Sequence, residues 1–257
     1  MDIILLGSGA SLLAGLCTGI GALGIFCVRT LGPRLEDSLL SSAAGIMLAA
    51  TFFSLIAPGI AYGEAQFGSN VLAVLVVIAG ILSGAIILWL IHRYAPHEHF
   101  IAGREGPDAT KLSRIWLFVI AITLHNFPEG MAVGVGFAGG DIGNGLALAT
   151  GIGIQNIPEG LAVAAALVTV RYSKGRAFLI ALLSGLLEPV GGVIGASAVW
   201  LAQPLMPYIL GLAGGAMLFI ISDEIIPETH SRNNATLATF SLMGGFVIMM
   251  FLDATLG

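Results

Sequence analysis

Long apolar segments recur along the whole chain and restrict its fold more than any other feature. A helix that crosses the hydrocarbon core of a bilayer needs roughly 20 mostly apolar residues. Eight windows of about that length follow one another: Ile3–Val28, Ser38–Tyr62, Val71–Ile91, Ile115–Ala138, Gly145–Val170, Ala177–Leu201, Leu205–Ile226 and Ala235–Thr255. We therefore predict an all-α integral membrane protein in which residues 1–257 form one transmembrane domain of eight helices.

The composition excludes a soluble fold. Asp, Glu, Lys and Arg make up 10% of the chain, whereas an average soluble domain is about 25% charged. The apolar runs are also too long for a β-barrel, whose strands alternate apolar and polar residues over about ten positions. Helices five and six contain polar residues, so hydropathy alone also allows seven or nine helices. A net charge of −5 without a basic cluster disfavours binding to nucleic acid.

The distribution of basic residues predicts the orientation of the helices. All ten Lys and Arg residues fall in the connections after helices one, three, five and seven. Because cytoplasmic loops are rich in Lys and Arg, we place these connections, including the loop 92–114, in the cytoplasm and both termini on the extracytoplasmic side. The first residues lack the basic segment of a cleaved signal peptide. We expect a multi-pass protein of a bacterial inner (cell) membrane.

A polar motif occurs twice inside the membrane. Residues 125–130 of helix four read His-Asn-Phe-Pro-Glu-Gly, and residues 155–160 of helix five read Gln-Asn-Ile-Pro-Glu-Gly. An ionisable side chain at mid-membrane costs roughly 2.5–3.5 kcal/mol on insertion scales, so it needs a functional reason. The repetition of Asn-x-Pro-Glu-Gly-x-Ala-Val in two spans therefore indicates a binding site.

Helical spacing puts the polar side chains of each copy on one face. The first residue and the glutamate are four positions apart, and the asparagine and the glutamate are three apart. Pro128 and Pro158 lack the N–H that would bond the carbonyl four residues earlier. We therefore expect interrupted helices at this depth, as in the binding sites of many transporters. The candidate ligands in the two copies are His125, Asn126, Glu129, Gln155, Asn156 and Glu159.

Helix six adds Glu188, which precedes Pro189. Three carboxylates in one buried site would repel each other and take up protons unless a cation lies between them. Imidazole together with carboxylates suits Zn²⁺, Fe²⁺ or Mn²⁺, whereas Ca²⁺ or Mg²⁺ would not need His125. Two alternatives are a polar seam between kinked helices and a proton relay through the glutamates, but a relay leaves His125 and the asparagines unexplained.

Helices two and seven carry similar segments that run in opposite directions. Met47–Pro58 and Met217–Pro227 nearly superpose, with Ser54 opposite Asp223. This echo suggests inverted repeats of helices 1–3 and 6–8 around a central pair. Asp223 and Glu224, near the cytoplasmic end, would suit a relay for a departing cation, and an ordinary solvated helix end is the alternative.

The loop 92–114 contains residue types that bind metals. His97 and His99 flank Glu98, and a His-x-His pair near acidic residues can hold a metal transiently. An ordinary solvated loop is the alternative.

On these motifs the chain resembles the ZIP (Zrt-, Irt-like) family of divalent metal transporters, and most closely its prokaryotic GufA-type branch. The resemblance rests on the two copies of the motif, on Glu188-Pro189 and on Ser-Asp-Glu-Ile-Ile-Pro-Glu at 222–228. It implies eight helices in an inverted 3+2+3 arrangement with both termini extracytoplasmic. It also implies import of zinc, with iron, manganese or cadmium as further substrates.

The resemblance implies a binuclear metal site in mid-membrane. One ion would lie among His125, Glu129, Gln155 and Glu159. A second ion would use Asn126, Asn156 and Glu188 and would share Glu129 and Glu159.

The resemblance further implies a route through the protein and two departures from the family pattern. Gln155 stands where many members carry histidine, which would broaden the choice of metal. Asn156 stands where some binuclear relatives carry aspartate, which would weaken the second position. The route would pass Met47 and Ser54 from the outside and Asp223 and Glu224 towards the cytoplasm.

These observations predict a transporter and not an enzyme. It would import divalent transition metals, with no catalytic cofactor and with the metal ion and the lipid bilayer as its partners. An intramembrane zinc metalloprotease would need His-Glu-x-x-His, which His125 does not begin. A cation efflux carrier would have six helices and a cytoplasmic domain, and a cation-selective channel would lack saturation. Glycine-lined helix faces, such as Gly15/Gly19, would permit a homodimer.

Overall fold

The part of the chain that the computed structural model describes is almost entirely helical. It comprises residues 3–27, 32–94, 97–99, 103–105, 126–137, 140–169, 172–201, 203–231 and 233–256. The α-helices are α1 (Ile3–Leu23), α2 (Pro33–Ala50), α3 (Ala57–Phe67), α4 (Asn70–Tyr94), α5 (126–136), α6 (Ile142–Thr169), α7 (Lys174–Gly185), α8 (Glu188–Leu201), α9 (Met206–Ile220), α10 (Ile226–His230) and α11 (Ala235–Leu256).

Seven segments within the described residues are long and apolar enough to cross a membrane. They are Ile3–Phe26, Pro33–Phe67, Asn70–Tyr94, Ile142–Val168, Lys174–Leu201, Met206–His230 and Ala235–Leu256. The prediction of a helical membrane protein is therefore confirmed. Half of the remaining predicted window, 115–138, lies outside the described residues, and its described part is helical over 126–136.

Close backbone contacts at glycines define two helix bundles. The first bundle consists of α1 and α5–α8, and the second of α2–α4 and α9–α11. Gly15 of α1 lies against the carbonyl of Gly185 in the first bundle, and Gly84 of α4 lies against the carbonyl of Leu212 in the second. A Cβ at either glycine would overlap the facing backbone, so only glycine allows the helices to approach this closely.

The two bundles meet through side chains. Helix α6 of the first bundle packs on α2 and α11 of the second. A Cβ at Gly151 of α6 would meet the side chains of Met249 and Ile46 rather than backbone. Met47 and Leu148, both fully buried, belong to one apolar cluster at this seam. Because side chains can change rotamer, the seam is softer than the glycine contacts inside each bundle.

Two spans contain a π-helical segment. Thr51–Ile56 follows α2, and Ile221–Ile225 follows α9. Each leads into a helix with a proline in its first turn, Pro58 in α3 and Pro227 in α10. Short π-helical segments are rare and are often found at functional sites. They occur here in the two segments whose sequences echo each other.

One helix interruption lies in a span for which we predicted none. Helix α6 continues through Pro158 from Ile142 to Thr169, so the interruption that we expected in helix five is wrong. In the following span, α7 ends at Gly185 and α8 begins at Glu188 after a turn. A carboxylate in the first turn of a helix is stabilised by the helix dipole, which favours a helix start at this glutamate.

The loop 92–114 contains a short β-hairpin. Strand β1 (His97–His99) pairs antiparallel with β2 (Gly103–Glu105). This hairpin is the exception to the all-α prediction within the described residues. Helix α4 continues to Tyr94, so His92 lies in its last turn and not in the loop.

Candidate metal centre

Two amide–carboxylate pairs link the helices that carry the duplicated motif. Gln155 Nε2 donates to Glu129 Oε1 at 2.5 Å and joins α6 to α5. Asn156 Nδ2 donates to Glu188 Oε1 at 2.7 Å and joins α6 to α8. All four side chains are at most 1% exposed. Four of the predicted ligands, from three different helices, are therefore paired in the interior of the first bundle.

The backbone packing of the first bundle positions these side chains. Gly130, directly after Glu129, lies against the backbone of Glu188, where a Cβ would overlap the carbonyl group. Asn156 Nδ2 also donates to the carbonyl of Ala14 at 2.9 Å, which fixes α6 against α1. The ligands are thus held by packed helices, which position a site more tightly than loops do.

Five buried polar atoms in this cluster have no hydrogen-bond partner within the described residues. An unsatisfied buried polar group costs about 1–3 kcal/mol, so such atoms usually serve a ligand, a water molecule or an ion. Four of the five are oxygens, and carboxylate and amide oxygens are ligands for hard and intermediate divalent cations. The atoms are Asn126 Oδ1 and Nδ2, Gln155 Oε1, Asn156 Oδ1 and Glu188 Oε2.

Glu159 is half-buried and lies near Glu188, so the two carboxylates would repel each other if both were ionised. A cation between like charges removes such repulsion. Within the described residues, no three His, Cys, Asp or Glu side chains form a metal site by themselves. The amide oxygens of the motif are further candidate ligands at this position, beside its carboxylates. His125, the remaining predicted ligand, lies outside the described residues.

The two residues predicted on the outer part of the route are fully buried. Met47 lies in the apolar cluster at the seam, and Ser54 lies in the π-helical segment after α2. Ser54 Oγ donates to Asp253 Oδ1 of α11 at 2.7 Å. Asp253 is thus part of this end of the molecule. From the sequence, Asp253 near the outer end of helix eight could attract cations, with an ordinary solvated acid as the alternative.

The residues predicted on the inner part of the route lie beside a histidine. The side chain of Asp223 is 44% exposed and that of Glu224 is 4% exposed. His92 Nε2 lies 2.9 Å from Glu224 Oε1, and His92 Nδ1 lies 3.7 Å from Asp223 Oδ2. We predicted His97 and His99 as ligands in this region but not His92, which we placed in the loop after the predicted helix end at Ile91. The side chains of the other two predicted ligands in this region, His97 and His99, lie outside the described part of the structure.

The expected correspondence of Ser54 with Asp223 is shifted by one residue. Ser54 follows Met47 by seven positions, and Glu224 follows Met217 by seven. Both Ser54 and Glu224 are buried, whereas Asp223 is exposed. Ser54 corresponds to Asp223 when the two segments are aligned at their prolines. The segment in span two is one residue longer between its methionine and its proline, so alignment at the methionines pairs Ser54 with Glu224 instead.

Comparison with known proteins gives the family. The family model described as ZIP Zinc transporter matches residues 91–253. The chain is 46% identical over 243 residues to zinc transporter ZIPB of Bordetella bronchiseptica, covering 93% of this chain and 78% of the relative. It is 45% identical over 248 residues to zinc transporter GufA of Myxococcus xanthus (96% and 98% covered). It is 33% identical over 321 residues to zinc transporter ZIP11 of Homo sapiens (93% and 94% covered).

These similarities extend over nearly the whole chain and over the two bundles described above. Together with the seven membrane-capable segments, they establish a multi-pass integral membrane protein. They also confirm that the chain is a transporter and not an enzyme, since this family consists of transporters. The chain belongs to the ZIP family of zinc transporters.

Proposed function

We propose that this ZIP transporter carries zinc and similar divalent metal ions into the cytoplasm through the buried cluster between α5, α6 and α8. One observation carries the proposal: oxygens of Gln155, Asn156 and Glu188 are buried without a hydrogen-bond partner in the described residues. A metal ion that enters the membrane must exchange its water for protein ligands. These oxygens offer that exchange at a depth where a bare charge is otherwise costly.

The cluster suits two metal positions that share carboxylates. The pairing of Gln155 with Glu129 and of Asn156 with Glu188 divides the polar groups into two neighbouring sets. One ion would lie among His125, Glu129, Gln155 and Glu159. The second would use Asn126, Asn156 and Glu188, with Glu129 and Glu159 as bridges.

The proposed topology has eight transmembrane helices in an inverted 3+2+3 arrangement, with both termini outside and the loop 92–114 in the cytoplasm of a bacterial cell. Contacts between connections support it. Gln66 Nε2 donates to the carbonyl of Pro204 at 2.9 Å, so two connections without basic residues lie at one end. Lys174 Nζ lies 3.5 Å from the carbonyl of Phe26, so two connections with basic residues lie together at the other end. The membrane is the inner (cell) membrane.

The exposure of the route supports a state that is closed on the outside. Met47 and Ser54, on the outer part, are fully buried, whereas Glu159 is half-buried and Asp223 is exposed. A metal ion released from the cluster would pass Asp223 and Glu224 on its way to the cytoplasm. His97 and His99 of the hairpin would receive it there.

The ligand set supports transport of more than one metal. The amides of Gln155 and Asn156 are neutral oxygen donors, which bind less strongly and select less sharply than imidazole or a carboxylate. We therefore propose zinc as the main substrate and cadmium, iron and manganese as further substrates.

Homodimer formation is a further proposal. The glycines considered for a dimer surface, Gly15 and Gly19, pack inside the chain against α7. A partner would instead meet apolar side chains such as Phe240 and Phe251 of α11, which are 67% and 65% exposed.

The proposal is tested by zinc entry into proteoliposomes loaded with a metal indicator. The wild type should give saturable entry, and Glu159→Ala should abolish it while the protein still folds. Glu64→Ala removes an exposed glutamate of α3 and is the matched control, with entry at the wild-type rate. Equal entry with Glu159→Ala and wild type would show that metal crosses elsewhere.

The same assay separates the alternatives. A cation-selective channel would give entry that rises linearly with zinc concentration. An intramembrane zinc metalloprotease would cleave peptides and give no entry.

A further inference from the structure

The side chain of Asn144 connects the two bundles. Asn144 lies in the first turn of α6 and is 7% exposed. Its Nδ2 donates to the carbonyl of Gly136 at 2.9 Å and to the carbonyl of Ser54 at 3.0 Å. Gly136 ends α5 in the first bundle, and Ser54 belongs to the π-helical segment of the second. One amide group therefore forms a hydrogen bond on each side of the seam.

Ser54 and the backbone of Asn144 are positioned without the help of the Asn144 side chain. Pro58 lacks the N–H that would bond the Ser54 carbonyl in an α-helix, which leaves that carbonyl available. Ser54 is itself held by its hydroxyl group, which donates to Asp253. The backbone of Asn144 is held by Asp141, whose Oδ1 accepts from the N–H of Asn144 at 3.0 Å and caps α6.

The bridge lies at the closed end of the route. Ser54 and Met47 are fully buried there, while Asp223 at the opposite end is exposed. The contacts across the rest of the seam that we have described are apolar side chains, which resist separation without fixing one geometry. The bond between Asn144 and the Ser54 carbonyl is directional and therefore holds the bundles in one register.

We propose that Asn144 is a positioning residue that keeps the outer route closed, and that its bond to the Ser54 carbonyl must break before metal enters. The bond itself is independent of any transport, whereas its role in entry rests on the proposed function. Breaking it should raise the population of outward-open molecules about fivefold, which corresponds to the net free energy of one hydrogen bond.

The test measures access from the outside without metal. In a background in which Cys17 and Cys27 are replaced by serine, Met47→Cys provides a reporter on the outer route. A membrane-impermeant thiol reagent is added to intact cells in the presence of a chelator. Asn144→Leu keeps the side-chain volume but donates no hydrogen bond. We expect the cysteine reporter to react about fivefold faster in the protein that also carries Asn144→Leu than in the protein with Met47→Cys alone.

Asn234→Leu is the matched control. Asn234 Nδ2 donates to Asp37 Oδ2 at 2.9 Å within the second bundle. Its loss should leave the labelling rate at Met47→Cys unchanged. A wild-type labelling rate in Asn144→Leu, or an equal increase in Asn234→Leu, would overturn the proposal.

A second reporter separates closure from general loosening. Asp223→Cys is labelled in inside-out vesicles. Its labelling rate should be no higher in the protein that also carries Asn144→Leu than in the protein with Asp223→Cys alone. Faster labelling at both ends would mean that the amide only stabilises the fold, and the proposal would be wrong.

Pro58→Ala provides an independent variant if Asn144→Leu does not reach the membrane. It gives residue 58 an N–H that competes for the Ser54 carbonyl and leaves the bond from Asn144 to Gly136 in place. We expect Pro58→Ala to raise the labelling rate of Met47→Cys, and the increase should be smaller than the one that Asn144→Leu gives. An unchanged rate would overturn the proposal. Labelling needs no metal, so the two proposals can fail separately. If the wild-type protein gives no zinc entry but Asn144→Leu still speeds labelling, the transport proposal is refuted and only the role of Asn144 in closure stands.

Discussion

At the outer end of the second bundle Ser54 donates to Asp253, and at the inner end Glu224 meets His92. Ser54 and Glu224 occupy matching places in the two π-helical segments. Asp253 and His92 lie in the last turns of α11 and α4. The backbone arrangement is thus similar at both ends, while the side chains differ.

The side chains at the two ends suit different steps of the proposed route. Those at the outer end suit closure of the entrance, and those at the inner end suit release of the metal ion. The outer pair consists of a hydroxyl group and one carboxylate, and Ser54 is sealed from solvent. The inner group combines an imidazole with two carboxylates, and Asp223 reaches solvent. A hydroxyl group binds zinc weakly, whereas imidazole and carboxylate are its common ligands. On the proposed route, the same framework would give a closed entrance at one end and an exit lined by a histidine and two acidic residues at the other.

The largest effect should follow from His92→Ala. Both His92 and Glu224 are nearly inaccessible, with Nε2 of the histidine 2.9 Å from Oε1 of the glutamate, and taking a polar partner away from a buried group typically costs about 1–3 kcal/mol. We expect a clear fall in the melting temperature of the purified protein. The double variant His92→Ala, Glu224→Gln should recover much of that stability without recovering zinc entry. A single variant as stable as wild type would remove the distinction between the two ends.

A smaller effect is expected from Asp253→Asn at the outer end. The amide oxygen can still accept from Ser54, but the bond loses its charge assistance, at a cost of about 1 kcal/mol. The KM for zinc should rise about fivefold with little change in the maximal rate, because the negative charge helps to capture the cation. Glu64→Gln is the control, since Glu64 is exposed on α3. A lower maximal rate with an unchanged KM would assign Asp253 to a later step.

The smallest effect on stability should come from Asp223→Asn at the inner end. The side chain is 44% exposed and lies 3.7 Å from His92, so we expect a change of less than about 0.5 kcal/mol in the free energy of unfolding. Denaturation of the detergent-solubilised protein would measure it. A change as large as that of His92→Ala would show that Asp223, rather than Glu224, is the main partner of the histidine.

Much of the fold could be predicted from the sequence because its solvent, the bilayer, imposes length and polarity on every span. The windows at 71–91 and 235–255 lie within α4 and α11. The π-helical segments could not be predicted in this way, since hydropathy does not register one additional residue per turn. The end of α4 could not be predicted from hydropathy either. Its last turn contains the polar residues His92 and Arg93, so the apolar window ends before the helix does.

The candidate site could be predicted in part. Periodicity puts the motif residues on one face of each helix, but it does not say which residue meets which across two helices. The pairing of Gln155 with Glu129 and of Asn156 with Glu188 depends on how deeply glycines allow α5, α6 and α8 to approach. The hydrogen bonds of Asn144 could not be predicted for the same reason, because both acceptors are backbone carbonyls and that of Ser54 lies 90 positions away in the sequence.

The packing at Gly151 has a mechanical consequence. Inside each bundle, backbone presses on backbone, and such contacts have almost no compliance because neither side can yield. Across the seam, Gly151 faces Met249, whose unbranched thioether chain adapts its shape at little cost. Deformation of the molecule should therefore concentrate at the seam, where the Met249 side chain can change its conformation while the backbone packing inside each bundle stays fixed.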